Sequence, residues 1–122
     1  MNNILNLIDN LDFTESSISE LCREMQKYGC SLRGYAGQEE YWFFGKEYNT
    51  VDFFSKYPQY SDDWEYNDPH TVVVEVGIVN GRIMIQWCVK DIYHFNFGSY
   101  DFNIANERNK AIDLLCALLE HN

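Results

Sequence analysis

The stretch TVVVEVGIVNGRIMIQWCV, residues 71–89, decides the fold. Two runs dense in β-branched residues flank Asn80-Gly81, the pair that best tolerates the two positive-φ positions of a type I′ turn. It predicts a hairpin with strands at residues 71–79 and 82–89. Val72, Val73, Val74, Val76, Ile78, Ile83, Ile85 and Val89 give these strands the composition of central ones.

Toward the C-terminus, residues 92–97 alternate. Tyr93, Phe95 and Phe97 point one way, and Ile92, His94 and Asn96 the other, which predicts another strand. Residues 98–101 read as a turn. Asn103 or Asn106 then begins a last helix, whose apolar face is Ala111, Ile112, Leu114, Leu115, Leu118 and Leu119.

Toward the N-terminus, residues 59–69 read as a loop rich in acids and aromatics. Before it, Thr50 caps a short helix through Tyr57, stopped by Pro58. Residues 31–35 and 41–44 look like two short strands. Ile18, Leu21, Cys22, Met25 and Tyr28 fall at helical spacing, with Thr14, Ser16 or Ser17 as cap and Gly29 as stop. A first helical segment covers residues 3–11. Connections are short, so the expected fold is α+β over residues 1–122 as one domain: a mainly antiparallel sheet of about four or five strands with N- and C-terminal helices packed on one face.

Composition excludes several classes. Nineteen acids against nine bases give a net charge of −10 and a pI near 4.5. Nucleic acid and anionic lipid are both held through Lys and Arg, so neither is an expected partner. No apolar run approaches the roughly 20 residues that span a bilayer. The first eleven residues have no basic flank and are broken by Asn6, Asp9 and Asn10, so export is not expected. A cytoplasmic setting follows as the expectation, with Cys22, Cys30, Cys88 and Cys116 reduced.

Catalytic and metal motifs are missing. The cysteines form no C-x-x-C pair, and no phosphate loop, H-E-x-x-H or G-x-S-x-G occurs. Asp62, Asp63, Glu65 and Asp68 superficially suggest calcium, but lack the central glycine and terminal glutamate of an EF-hand loop. Cys88 and His94 lie on neighbouring expected strands. A small protein with four cysteines and three histidines brings some such pair within reach by chance. His121 lies at a chain end, where fraying is expected. No catalytic residue, metal ligand or cofactor is assigned.

The distribution of charge says more than its total. Residues 37–69 hold eight acids against Lys46 and Lys56, leaving six net negative charges. The same segment is rich in rings. In its loop, Tyr60, Trp64 and Tyr66 alternate with Asp62, Asp63, Glu65 and Asp68. Rings supply desolvated contact area and acids steer a basic partner, so these seven residues are the expected partner-binding set. The competing arrangement folds the loop back, its rings plugging the edge of the core.

In size, acidity, Tyr and Trp content and lack of a catalytic motif, the chain resembles the immunity proteins of bacterial toxin systems such as contact-dependent inhibition. The segment QYSDDWEY, residues 59–66, carries most of the likeness. The resemblance implies a non-enzymatic inhibitor that covers the active site of a cognate basic toxin, a nuclease by expectation. It transfers no residue roles, because those families differ in fold. Three other expectations stand beside it: a phage-type anti-defence mimic of nucleic acid, a small enzyme or ligand-binding domain with an aromatic-lined pocket, and an assembly subunit.

Overall fold

The structure, a computed structural model, describes residues 2–36, 41–61, 70–89 and 97–121. The hairpin lies at its centre, as β3 (Thr71–Val79) and β4 (Arg82–Val89). Asn80 and Gly81 turn the chain with φ of 51° and 74°, the paired positive values a type I′ turn needs. Pairing runs from Val79↔Arg82 to Val72↔Val89. A period of two then sends Val72, Val74, Val76, Ile83, Ile85 and Trp87 into the core. On the opposite face Gln86 Nε2 donates to Glu75 Oε1 at 2.8 Å.

β2 (Tyr41–Asn49) pairs with the outer edge of β3, and β1 (Ser31–Ala36) with β2. β5 (Phe97–Asp101) completes the sheet beyond β4. The order is β1-β2-β3-β4-β5, antiparallel throughout. Sequence reasoning placed a turn at residues 98–101, and this is corrected: they are strand, with Trp87↔Gly98 and Met84↔Asp101 in register. Gly98 is there for packing. A Cβ at this position would lie 2.9 Å from Trp87 Nε1, so only glycine lets the indole cross β5. Of the strand expected at 92–97, only Phe97 falls among the described residues.

Helices α1 (Asn2–Asp9), α2 (Glu15–Gln26), α3 (Thr50–Lys56) and α4 (Arg108–Glu120) cover one face. A single core cluster joins Ile4 and Ile8 of α1, Leu21 and Met25 of α2, and Leu114 and Leu118 of α4 to that face. Burying each such side chain contributes about 1.5–3 kcal/mol. The fold is α+β with terminal helices, as the pattern indicated.

Caps refine the boundaries. Thr14, not Ser16 or Ser17, starts α2, its Oγ1 accepting from Ser17 N at 3.2 Å. Asn49 caps α3 by accepting from Val51 N and Asp52 N. Thr50, the expected cap, is buried one residue further on, where its Oγ1 accepts from His70 N at 3.0 Å. Its own N–H donates to His70 O at 2.9 Å, so the two residues clasp the start of α3 to the start of β3. α4 begins later than either asparagine, at Arg108, which grips both oxygens of Asp9 at 2.8 Å and ties the two terminal helices.

Candidate functional site

Of the seven residues expected to meet a partner, Asp62, Asp63, Trp64, Glu65, Tyr66 and Asp68 lie outside the described residues. Tyr60 is placed, and it is 5% exposed. The 3-10 turn Pro58–Tyr60 swings its ring inward, 6.2 Å from Trp87 and 6.3 Å from Phe53. Burial pushes its hydroxyl up to about 12. Tyr60 therefore belongs to the core edge, the role the competing loop arrangement gave it, and little of its ring is left for a partner.

The histidines and cysteines also find their places. His94 is outside the described residues. Cys88 is half-buried opposite Val73, on the sheet face away from the helices. Among the described residues no group of three His, Cys, Asp or Glu side chains could hold a metal ion.

His121 is the residue that sequence reasoning set aside, and it is not frayed. Its N–H donates to Ala117 O at 3.1 Å, which fixes it at the end of α4. The imidazole packs edge-on to Tyr48 at 4.8 Å, to Phe53 at 5.7 Å and to Tyr57 at 5.8 Å. Burial holds its pKa below the usual value, and Lys56 and Lys46 add repulsion, outweighing the pull of Asp52. The ring is thus neutral at pH 7. Its Nδ1 is buried without a hydrogen-bond partner.

An open cleft of about 430 Å³ lies beside this ring. Its origin is the length of β1. That strand starts at Ser31, opposite Gly45, whereas β2 runs on to Asn49. Residues 46–49 pair with β3 on one side and with no described strand on the other. One wall of the cleft is the turn after α2, with Tyr28, Gly29 and Ser31; the other is residues 45–48 of β2 and His121. Gly29, at φ of 91°, makes the turn, and the Lys46 stem passes close over it.

Lys46 supplies the charge. It points to the helix-covered face, in register with buried Val74, and is half-buried. Its Nζ donates to His121 O at 3.2 Å. Burial lowers the amine's pKa, and nearby Cys30 opposes that shift. The Cys30 thiol itself is pushed up to about 11, chiefly by burial, so it is neutral at pH 7. The cleft is therefore lined by the Lys46 ammonium, the Glu47 side chain and a neutral imidazole. Nothing in the sequence marked Lys46 beyond its being one of two bases in an acidic segment.

The class that the fold defines is an α+β protein built on a five-stranded antiparallel meander. Compared with known families, curated proteins and solved structures, the chain matches no family model, no curated protein and no solved structure. No helix is long and apolar enough to cross a membrane among the described residues.

Proposed function

We propose that the chain is an acidic, protein-binding inhibitor, an immunity protein that neutralises a basic toxin nuclease by covering its active site. The observation that carries this is the charge asymmetry: residues 37–69 hold six of the ten net negative charges. Elsewhere the bases are partly spent on acids within the fold. Arg108 holds Asp9, Lys27 holds Glu24 and Arg82 holds Asp101. A nuclease active site is electropositive because it must attract a polyanion, and an acidic surface with aromatic anchors complements it. Asp62, Asp63, Trp64, Glu65, Tyr66 and Asp68 are the residues proposed to meet the partner.

The test passes lysate of the encoding organism over immobilised protein at low salt, followed by a salt gradient. A basic protein released only at high salt, whose nuclease activity is suppressed stoichiometrically by the free chain, is the expected result. Retention of no basic protein, or of one whose activity is unaffected, overturns the proposal.

A further inference from the structure

We propose that α1 is an exchangeable arm, which in concentrated solution leaves its own seat and docks in the same seat on a second copy of the chain, giving a two-fold dimer. The inference is independent of the acidic segment and its partner. It begins with Phe13, in the link between α1 and α2. Its φ of 63° lies in the left-handed region, and its ring is half-buried against the core. A bulky L residue is disfavoured there, because Cβ crowds the following carbonyl oxygen. The flanking residues hold the strain in place. Thr14 donates from both N and Oγ1 to Asp12 Oδ1, at 3.0 and 2.7 Å. A short link that closes only with a strained residue favours an open form, in which φ returns to negative values and the helix reaches a neighbour.

The attachments of α1 are made by side chains. No backbone hydrogen bond among the described residues joins residues 2–9 to another element, and the strands pair without them. Ile4 and Ile8 are buried in the common core cluster, and Leu5 and Leu7 are partly buried against it. Asn3 Nδ2 donates to Glu24 Oε2 at 3.0 Å, and Arg108 holds Asp9. Undocking therefore leaves the hydrogen bonds of the sheet intact. A helix of eight residues does not persist alone in water, so a released α1 finds a seat or unfolds.

The vacated seat is apolar, with Glu24 and Arg108 at its rim. The segment that matches it in hydrophobic spacing and in charge is α1 itself, so the occupant is the α1 of a second copy. Exchange restores each of these contacts in both copies, and the dimer differs from two monomers mainly in its links, where Phe13 is relieved. Lost translational freedom and repulsion between chains of net charge −10 oppose association, so the closed monomer holds at low concentration and low salt.

The Asp9–Arg108 clasp supplies the test. Full chains carrying Asp9→Arg or Arg108→Asp each set like charges against one another at the clasp. In an exchanged pair of the two, the reversed α1 meets the reversed α4 and the unaltered α1 meets the unaltered α4, so both clasps join opposite charges. The two forms are unfolded in urea, mixed, diluted into about 0.15 M salt and followed by native mass spectrometry and light scattering up to about 1 mM chain. A one-to-one heterodimer at least about tenfold tighter than either homodimer is expected. A mixture that folds and stays monomeric, or that dimerises no better than one form alone, overturns the proposal. Should the altered chains not refold, Phe13→Gly decides: glycine takes positive φ freely, so it relieves the closed monomer and should weaken dimerisation of the otherwise unaltered chain about tenfold or more. Equal dimerisation with and without Phe13→Gly, or none in the unaltered chain by about 1 mM, overturns it as well.

Discussion

The Tyr48 hydroxyl donates to the Leu118 carbonyl at 2.9 Å, joining β2 to the last turn of α4. The same ring stacks on Phe53 at 5.0 Å and meets His121 edge-on at 4.8 Å. One side chain thereby locks a strand and two helices. Tyr48→Phe keeps the ring contacts and strands the carbonyl, so a loss of about 1 kcal/mol is expected. Tyr48→Ala removes the rings' contacts as well, for a loss of about 3–5 kcal/mol. Urea denaturation separates the two; equal losses would mean that the hydroxyl, not the ring, dominates.

Asp101 and Arg82 should respond unequally. Asp101 is buried, and its Oδ2 accepts from Arg82 Nε and Nη2 at 3.1 and 2.9 Å while Oδ1 accepts from Asn103 N at 2.7 Å. Arg82 is largely exposed. Asp101→Ala leaves several donors without their acceptor and should cost about 2–3 kcal/mol. Arg82→Ala should cost about 1 kcal/mol. Similar losses from both in denaturant melts would place the stabilisation in the ion pair, not in the turn that Asp101 holds.

Gly98→Val tests the crossing of Trp87 over β5. With a Cβ only 2.9 Å from the indole nitrogen, either the ring or the strand must move. An overpacking loss of about 2 kcal/mol is expected, together with a shift in tryptophan emission. An unchanged midpoint and spectrum would contradict the packing described.

Alkaline pH should weaken the fold in two stages. Burial pushes Cys22 and Cys30 up to about 11 from an ordinary 9.0, and Tyr60 up to about 12 from 10.0; Tyr48 is raised further by the same cause. These groups are neutral when folded, and the unfolded chain releases their protons first. Their contribution is complete below pH 9 and is lost as pH rises toward the folded values. Urea midpoints measured from about pH 8 to about pH 11 should fall, more steeply once the phenols join the thiols. Cys30→Ala should flatten the first stage, and a flat profile in the parent chain would refute the assignment.

For the proposed partner, Trp64→Ala should weaken binding by about 2 kcal/mol or more. Charge reversal at Asp62 and Asp63 should mainly slow association and reduce its salt dependence, as read by stopped-flow mixing. Unchanged rates and affinity in both variants would remove this segment from the interface.

Much of the fold was legible in sequence because its signals were local. The Asn80-Gly81 pair and the alternating valines and isoleucines fixed β3 and β4 to the residue. Gly98 misled, because a glycine under a tryptophan ring and a glycine in a turn look the same in one dimension. Thr50 misled for a related reason: its hydroxyl was free to cap α3, but its partner lies 20 residues away at His70. His121 and Lys46 were invisible as neighbours. Their meeting depends on where β1 starts and where α4 ends, and no local pattern encodes that.

Each strand of the sheet is paired with its neighbour in the chain. Pairing can therefore spread outward from the 71–89 hairpin in steps that each close a modest loop. The Asp9–Arg108 clasp is of another kind, joining residues 99 positions apart. Such a contact is rewarded only after the strands are in place, so its closure belongs to the final stage of folding. Breaking it should hasten unfolding and leave the folding rate nearly unchanged. The clasp thus governs how long the folded state lasts more than how fast it is reached.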